Sequence, residues 1–192
     1  MEKLAERLVE SLVNYEIIDQ SMRAQYIYAA EMLAEKIISI VMVLTIGILM
    51  GMLPQAVVFA VFFLALRKYT GGYHAGKFTV CFIESTGMML IVLYIGDLLT
   101  SYAWAVAIML FVSSLVILIG GTVNHQNMNY DLRELKEASR CARYVLLIEV
   151  FIISVLNLIG ASESYLVYMS LGVILCAGSM VAAKVLKQEV TL

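Results

Sequence analysis

The chain has 192 residues, of which 62% are hydrophobic and 15% are charged, and its mean hydropathy is +0.90. A soluble domain is nearer half apolar and a quarter charged, so this composition excludes an ordinary soluble fold and favours an integral membrane protein in a lipid bilayer. The net charge of −2 comes without any basic run, so no nucleic-acid partner is predicted. Three cysteines, an odd number, argue against a disulfide framework.

The N-terminal segment, residues 1–20, predicts an amphipathic helix. Leu4, Leu8 and Leu12 recur at helical spacing, and the opposite face is mostly charged. Membrane-surface helices usually favour lysine and arginine, whereas this face is rich in glutamate. We therefore expect this helix to pack on protein.

Residues 37–66 form a charge-free block of 30 residues. One membrane span needs about 20 residues and two need about 40, so the block lies between the two cases. Pro54, the only proline in the chain, follows Gly51 inside the block and predicts a tight turn there, because proline breaks a helix. Gly47 and Gly51 also form a G-x-x-x-G pair, a pattern of close helix packing that favours a homodimer.

Four more apolar blocks follow, at residues 82–99, 104–121, 144–160 and 165–183. Together the blocks predict an all-α membrane bundle of about six transmembrane helices with an N-terminal amphipathic helix, forming a single domain over residues 1–192. If residues 37–66 form two spans, all 13 lysines and arginines fall on one side of the membrane. That distribution predicts a cell-membrane protein with both termini and residues 67–81 in the cytoplasm.

A polar stretch between two apolar blocks, RKYTGGYHAGKFTVC, carries a histidine and a cysteine seven residues apart. A cysteine nucleophile needs a thiolate, which a nearby imidazole or a helix N-terminus favours. On a continuous helix His74 and Cys81 would be about 10 Å apart, too far for a hydrogen bond. The chain must fold back for them to meet, and Gly71, Gly72 and Gly76 permit this because glycine tolerates positive φ. Cys81 would then lie in the first turn of the next helix.

Spacing alone leaves the alternative of an ordinary interfacial histidine and a glycine loop between spans. The other candidate ligands, His125 and Cys141, lie too far from the first pair in sequence to form a ligand motif, so no metal and no cofactor is predicted. Cys176 lies within the last apolar block and is expected to pack as a small hydrophobic residue.

The pattern R-x(3)-G-G-x-H-x(6)-C, formed by Arg67, Gly71, Gly72, His74 and Cys81, resembles the accessory gene regulator B (AgrB) family. These are membrane cysteine endopeptidases of Gram-positive quorum sensing. The resemblance extends over essentially the whole chain, including the second polar loop with Asn127 and the two final spans. One departure is the sequence GGTVNHQN, where family members often carry Ala-Pro just before that loop.

The resemblance implies that the protein cleaves a short membrane-associated precursor peptide, AgrD-like, and removes its C-terminal tail. It assigns Cys81 as the nucleophile and His74 as the general base, with Arg67, Gly71 and Gly72 in supporting roles. It also implies a thioester acyl-enzyme on Cys81. An internal cysteine or serine of the precursor would then attack that thioester and give a thiolactone or lactone autoinducing peptide.

A third catalytic group is left open by the sequence. Glu84 is one turn beyond Cys81 in an apolar block, where an ionisable residue is a functional candidate. It would orient His74 or bind a cation of the substrate, and the alternative is an ion pair with Lys77 or Arg67.

Ser85 would donate to an oxyanion, or bond back to its own helix. From the second polar loop, Asn124, Asn127 and Asp131 are further candidates. The competing class of function is a non-enzymatic membrane scaffold or a small transporter subunit. Few buried charges and no evident inverted repeat argue against the transporter.

Overall fold

The computed structural model describes residues 2–15, 17–73, 78–124 and 130–189. These residues form seven α-helices and two short 3₁₀ turns, at Gln20–Met22 and Thr100–Tyr102. The helices in chain order are α1 (Glu2–Asn14), α2 (Arg23–Leu49), α3 (Leu53–Thr70), α4 (Phe78–Leu99), α5 (Ala103–Gly120), α6 (Leu132–Leu158) and α7 (Glu163–Val185).

Five helical stretches of the described chain are long and apolar enough to cross a membrane: Gln20–Leu49, Leu53–Thr70, Thr79–Gly120, Leu132–Leu158 and Glu163–Val185. The third stretch is 42 residues long and contains α4 and α5, which meet at the second 3₁₀ turn. Since about 20 residues cross a bilayer, this stretch has the length of two spans. The prediction of an all-α membrane bundle with an N-terminal helix is confirmed.

The chain divides into two compact units, Met1–Thr45 and Ile46–Leu192. The first unit contains α1 and most of α2, and within it Arg23 forms an ion pair with Glu10 at 2.9 Å. Val9 on α1 is buried, but Leu8, which the sequence pattern places on the apolar face, is 57% exposed, so only part of the predicted apolar face is covered within the described residues. The single domain over residues 1–192 stays a prediction.

The predicted break inside the long apolar block is present. Helix α2 ends at Leu49, and α3 begins at Leu53 with Pro54 in its first turn, where the missing N–H of proline costs no helical hydrogen bond. Gly51 between them has φ +67°, a left-handed conformation that glycine adopts without strain. The block therefore forms two helices, as its length and its proline predict.

The G-x-x-x-G pair is explained within a single chain. A Cβ on Gly47 would lie 2.9 Å from Cβ of Ala56 at the start of α3, so the absence of a side chain lets the two segments approach. Gly51 makes the turn itself. The homodimer stays a prediction, and the glycine pair no longer supports it.

Helix α7 is the central helix of the second unit and packs most extensively on α3 and α5. A Cβ on Gly172 would lie 3.0 Å from both Phe62 Cβ and Phe63 N, so α7 lies directly against the backbone of α3. Cys176 is fully buried there and donates a hydrogen bond from Sγ to the Phe63 carbonyl at 3.3 Å, which confirms its packing role. The surrounding core comprises Leu66, Ile117, Val123, Leu146, Val173, Ala177, Met180 and Ala183.

Helix α4 is fixed to α7 through one aromatic residue. The Tyr168 hydroxyl, which is fully buried, donates to the Leu93 carbonyl at 2.7 Å. Gly96 makes room for the ring, since a Cβ there would lie 2.4 Å from Tyr168 Cε1. Helix α7 therefore positions both α3 and α4, the two helices that flank the polar stretch at residues 71–77.

Candidate active site

The chain leaves α3 through two glycines in the left-handed region. Gly71 has φ +63° and Gly72 has φ +123°. A Cβ on Gly71 would lie 2.5 Å from the Val123 carbonyl oxygen, and one on Gly72 would lie 2.0 Å from Arg67 Nη1. Both distances are below any real Cβ contact, so only glycine fits either position. The positive φ expected of glycine is found at Gly71 and Gly72, whereas Gly76 and the predicted fold-back between His74 and Cys81 lie outside the described residues.

The Arg67 guanidinium holds this loop, here meaning residues 71–73. From the last turn of α3, Nη1 donates to the Gly71 carbonyl and to Ser179 Oγ, the latter at 2.8 Å, and Nη2 donates to the Tyr73 carbonyl. Because the planar guanidinium presents its donors in a fixed geometry, bonds to three acceptors define the path of the loop. Arg67 therefore connects the loop to α3 and to Ser179 of α7.

The second polar loop begins against the end of α3. Thr122 Oγ1 donates to the Tyr69 carbonyl at 2.8 Å, and the Val123 amide donates to the Thr70 carbonyl at 2.9 Å. The two polar loops of this unit therefore leave the bundle side by side, although 50 residues of sequence separate Thr70 from Gly120.

Two of the candidates from the second loop have structural roles. Asn124 is almost fully buried, and its amide both donates to the carbonyl and accepts from the amide of Tyr130, each at 3.1 Å, which closes the loop. Asp131 is the N-cap of α6 in a capping box with Glu134. Asn127 lies outside the described residues.

Cys81 is the fourth residue of α4 and thus in its first turn, as expected, and the structure shows its side chain half-buried. The first turn of a helix has backbone N–H groups without helical partners, and together with the helix dipole they favour negative charge. His74 lies outside the described residues. Tyr73, the residue before it in the sequence, is the last described residue of the loop that Arg67 holds.

Glu84 and Ser85 are exposed on α4, one turn beyond Cys81. The Tyr73 hydroxyl donates to Glu84 Oε1 at 3.3 Å. The Glu84 carboxylate raises the pKa of Tyr73, and Cys81 acts in the same direction. Glu84 contacts the loop through Tyr73. The alternative of an ion pair with Arg67 is not found, because that guanidinium donates to the loop and α7, and the other alternative partner, Lys77, lies outside the described residues.

A family comparison settles where the chain belongs. The sequence model of the family described as Accessory gene regulator B matches residues 3–181.

The chain belongs to the AgrB family.

No curated protein and no solved structure gives a significant match. Membership places the protein in the accessory gene regulator quorum-sensing system and implies involvement with an AgrD-type propeptide in the membrane.

Within this AgrB-family protein, one buried acid was not among the residues that the sequence singled out. Glu149 lies in α6, inside the otherwise apolar block at residues 144–160, and its exposed fraction is 5%. Neither carboxylate oxygen has a hydrogen-bond partner among the described residues. The signal was present in the sequence, since a lone glutamate in an apolar span is a functional candidate by default. No group of three or more metal-ligating side chains occurs in the part of the chain that is described.

Glu149→Met should stabilise the protein. Methionine fills a similar volume without a buried polar group that lacks a partner, and such a group costs about 1–3 kcal/mol. We expect a higher unfolding temperature in detergent micelles, whereas Glu137→Met, at an exposed site on the same helix, should change stability by less than about 0.5 kcal/mol. A lower unfolding temperature for Glu149→Met would show that the carboxyl group has a stabilising partner.

Proposed function

We propose that this AgrB-family protein is a membrane cysteine endopeptidase. It removes the C-terminal tail of an AgrD-like propeptide and promotes cyclisation of the remaining peptide to a thiolactone or lactone. The observation that carries the proposal is the position of Cys81, half-buried in the first turn of α4, while a neighbouring glycine loop is held by Arg67. A nucleophilic sulfur must be partly accessible, and the half-buried position of Cys81 provides that access. It also needs a site that favours negative charge, which the first turn of a helix provides.

In the proposed reaction, His74 takes the proton of the Cys81 thiol and the sulfur attacks the carbonyl carbon at the processing site. The tetrahedral intermediate collapses when His74 returns that proton to the leaving amine. The C–N bond breaks, the tail departs and a thioester joins the N-terminal fragment to Cys81.

An internal cysteine or serine of the bound fragment then attacks the thioester carbonyl. The new thioester or ester closes the ring, and Cys81 recovers its proton as a thiol. Exchange of one thioester for another changes the free energy little, so the exchange itself does not drive ring closure. Ring closure must therefore be faster than hydrolysis of the acyl-enzyme. A site at the membrane face limits water, and a bent fragment raises the effective concentration of its own nucleophile.

The supporting residues act on the loop in this scheme. Arg67 and the two glycines fix the backbone up to Tyr73, the residue before His74. Glu84 is proposed as the third group and acts through its bond with the Tyr73 hydroxyl. Ser85 and Asn127 stay candidates for contacts with the substrate.

A trapped acyl-enzyme tests the chemistry. When the internal nucleophile of the propeptide is replaced by alanine, ring closure is blocked and the thioester should accumulate. Mass spectrometry should then find the N-terminal fragment on the peptide that contains Cys81, and hydroxylamine should remove it. Cys141→Ser should leave the adduct in place. Tail release with no adduct on Cys81 under these conditions would contradict the covalent mechanism.

We also propose that the protein crosses the cell membrane six times with both termini and residues 67–81 in the cytoplasm. Basic residues on one side support this orientation. Reporter fusions after residues 52 and 77 should report opposite compartments, because α3 lies between them. The same compartment for both fusions would overturn the topology.

A further inference from the structure

Ser179 of α7 is bonded to the candidate site at two points and anchored to its own helix at a third. Its hydroxyl accepts from Arg67 Nη1 at 2.8 Å, and its carbonyl accepts from the Tyr73 amide at 2.9 Å. The hydroxyl proton is donated to the Cys176 carbonyl at 2.9 Å, which orients the oxygen towards the guanidinium. Gly72 has no side chain where Ser179 comes close, since a Cβ there would lie 2.7 Å from its Oγ.

The two bonds to Ser179 act on the same short segment of chain. Arg67 donates to the carbonyls of Gly71 and Tyr73, and Ser179 fixes the other end of that guanidinium. Without the hydroxyl, Arg67 would keep its charge and lose one of three acceptors, in a half-buried position where charged hydrogen bonds matter most. The guanidinium would keep its bonds to the two loop carbonyls but lose its side-chain anchor on α7, so the loop would be held less firmly even though the Tyr73 amide still bonds the Ser179 carbonyl.

We infer that Ser179 is a positioning residue for the proposed peptidase: acting through Arg67 and the Tyr73 amide, the last membrane helix sets the backbone that leads into His74. This inference rests on the proposed function for its catalytic meaning. Ser179 touches neither the substrate nor the reacting atoms in the scheme. Its effect on rate comes from orientation, and small displacements of a catalytic group lower rates steeply.

Helix α7 offers a matched control in Ser170. This serine is also buried, and its hydroxyl donates to the Leu166 carbonyl of its own helix, at 2.7 Å. Ser170→Ala therefore removes the same atom from the same helix without touching the loop. Its effect on unfolding temperature measures what the loss of a serine hydroxyl does to α7 itself.

The first measurement follows Cys81 in the full-length protein and does not depend on peptidase activity. The rate of alkylation of Cys81 by iodoacetamide at neutral pH is read by mass spectrometry on the peptide that contains it. Ser179→Ala should change this rate by about threefold or more in the same direction as Arg67→Met, and Ser170→Ala should leave it unchanged. In the Arg67→Met background, Ser179→Ala should add nothing further, because both changes break one connection. A wild-type rate for Ser179→Ala, or effects that multiply in the double variant, would overturn the inference.

The second measurement is processing of an AgrD-type propeptide. Ser179→Ala should lower kcat by about tenfold or more while KM changes by less than about threefold, since in the proposed reaction this loop leads directly to the general base. Unchanged kcat would overturn the inference. If Cys81→Ala still releases the tail, the proposed function fails, whereas the alkylation result, which needs no substrate, judges whether Ser179 affects the surroundings of Cys81.

Discussion

Replacement of Cys81 by alanine should abolish release of the C-terminal tail from the propeptide. The sulfur is the only atom in the proposed scheme that bonds to the substrate, and loss of a nucleophile lowers rates by about 10³-fold or more. Cys81→Ser should be nearly as inactive, because a hydroxyl is far less acidic than a thiol. Cleavage is measured by immunoblot of a tagged tail in cells that express both proteins, and in a reconstituted system.

The other two cysteines are the controls for this result. Cys141 is exposed on α6, and Cys141→Ser should process the propeptide normally. Cys176→Ala removes a buried Sγ and its bond to the Phe63 carbonyl, so we expect a stability loss of about 1–2 kcal/mol with cleavage within about threefold of normal. Tail release by Cys81→Ala would contradict the peptidase proposal. Loss of activity in a folded Cys176→Ala protein would show that the role of Cys176 extends beyond packing.

The spans were predictable because a bilayer imposes a rule that a sequence shows directly. About 20 apolar residues are needed for each crossing, and lysine and arginine collect in the cytoplasmic loops. Pro54 and Gly51 marked the break between α2 and α3 for a local reason: proline lacks an N–H, and glycine tolerates positive φ. The same local reasoning explains why the conformation at Gly71 and Gly72 was expected.

The contacts that organise the candidate site were not predictable in this way. Arg67 and Ser179 are 112 residues apart, and no periodic pattern connects them. A serine in an apolar helix usually bonds back to the backbone of its own helix, as Ser170 does. Nothing in the sequence around Ser179 therefore indicated that it would bond to Arg67. Glu149 differs, because its position in an apolar span was itself the signal.

The candidates of the second polar loop show the same limit. Asn124 and Asp131 were proposed for the site because amide and carboxylate groups serve catalysis, but the same groups also close loops and cap helices. Only the bonds to Tyr130 and the capping box on α6 distinguish these roles. Residue type could only suggest Asn124 and Asp131 as candidates for the site. The hydrogen bonds show that Asn124 bonds the Tyr130 backbone and that Asp131 caps α6.

Gly72→Ala should greatly reduce processing of the propeptide. The new Cβ would lie 2.0 Å from Arg67 Nη1 and 2.7 Å from Ser179 Oγ, and the residue would have to adopt φ +123°. Residues other than glycine rarely adopt this backbone conformation, and holding an alanine in it costs about 1–3 kcal/mol. Relief of the clash requires Arg67 to move, which releases the loop, so we expect tail release to fall by about 100-fold.

Substitutions at two other glycines of this unit are controls that distinguish displacement of the loop from general loss of stability. Gly178 is next to Ser179 on α7, and a Cβ there would meet no atom of the described residues within 4 Å, so Gly178→Ala should be neutral or stabilising by up to about 1 kcal/mol. Gly172→Ala would bring a Cβ to 3.0 Å from Phe62 and Phe63, which destabilises the packing of α3 on α7 without reaching the loop. Its activity should fall only as far as the folded fraction falls.

Comparing the activity of Gly72→Ala and Gly172→Ala per folded molecule shows whether displacement of the loop or loss of stability lowers processing. Activity per folded molecule should be near normal for Gly172→Ala and reduced about 100-fold for Gly72→Ala, because only the second substitution displaces the guanidinium that holds the loop. Normal activity per folded molecule in Gly72→Ala would mean that the loop does not need this path for processing. The role proposed for Arg67 would then fail even if Cys81 proved to be the nucleophile.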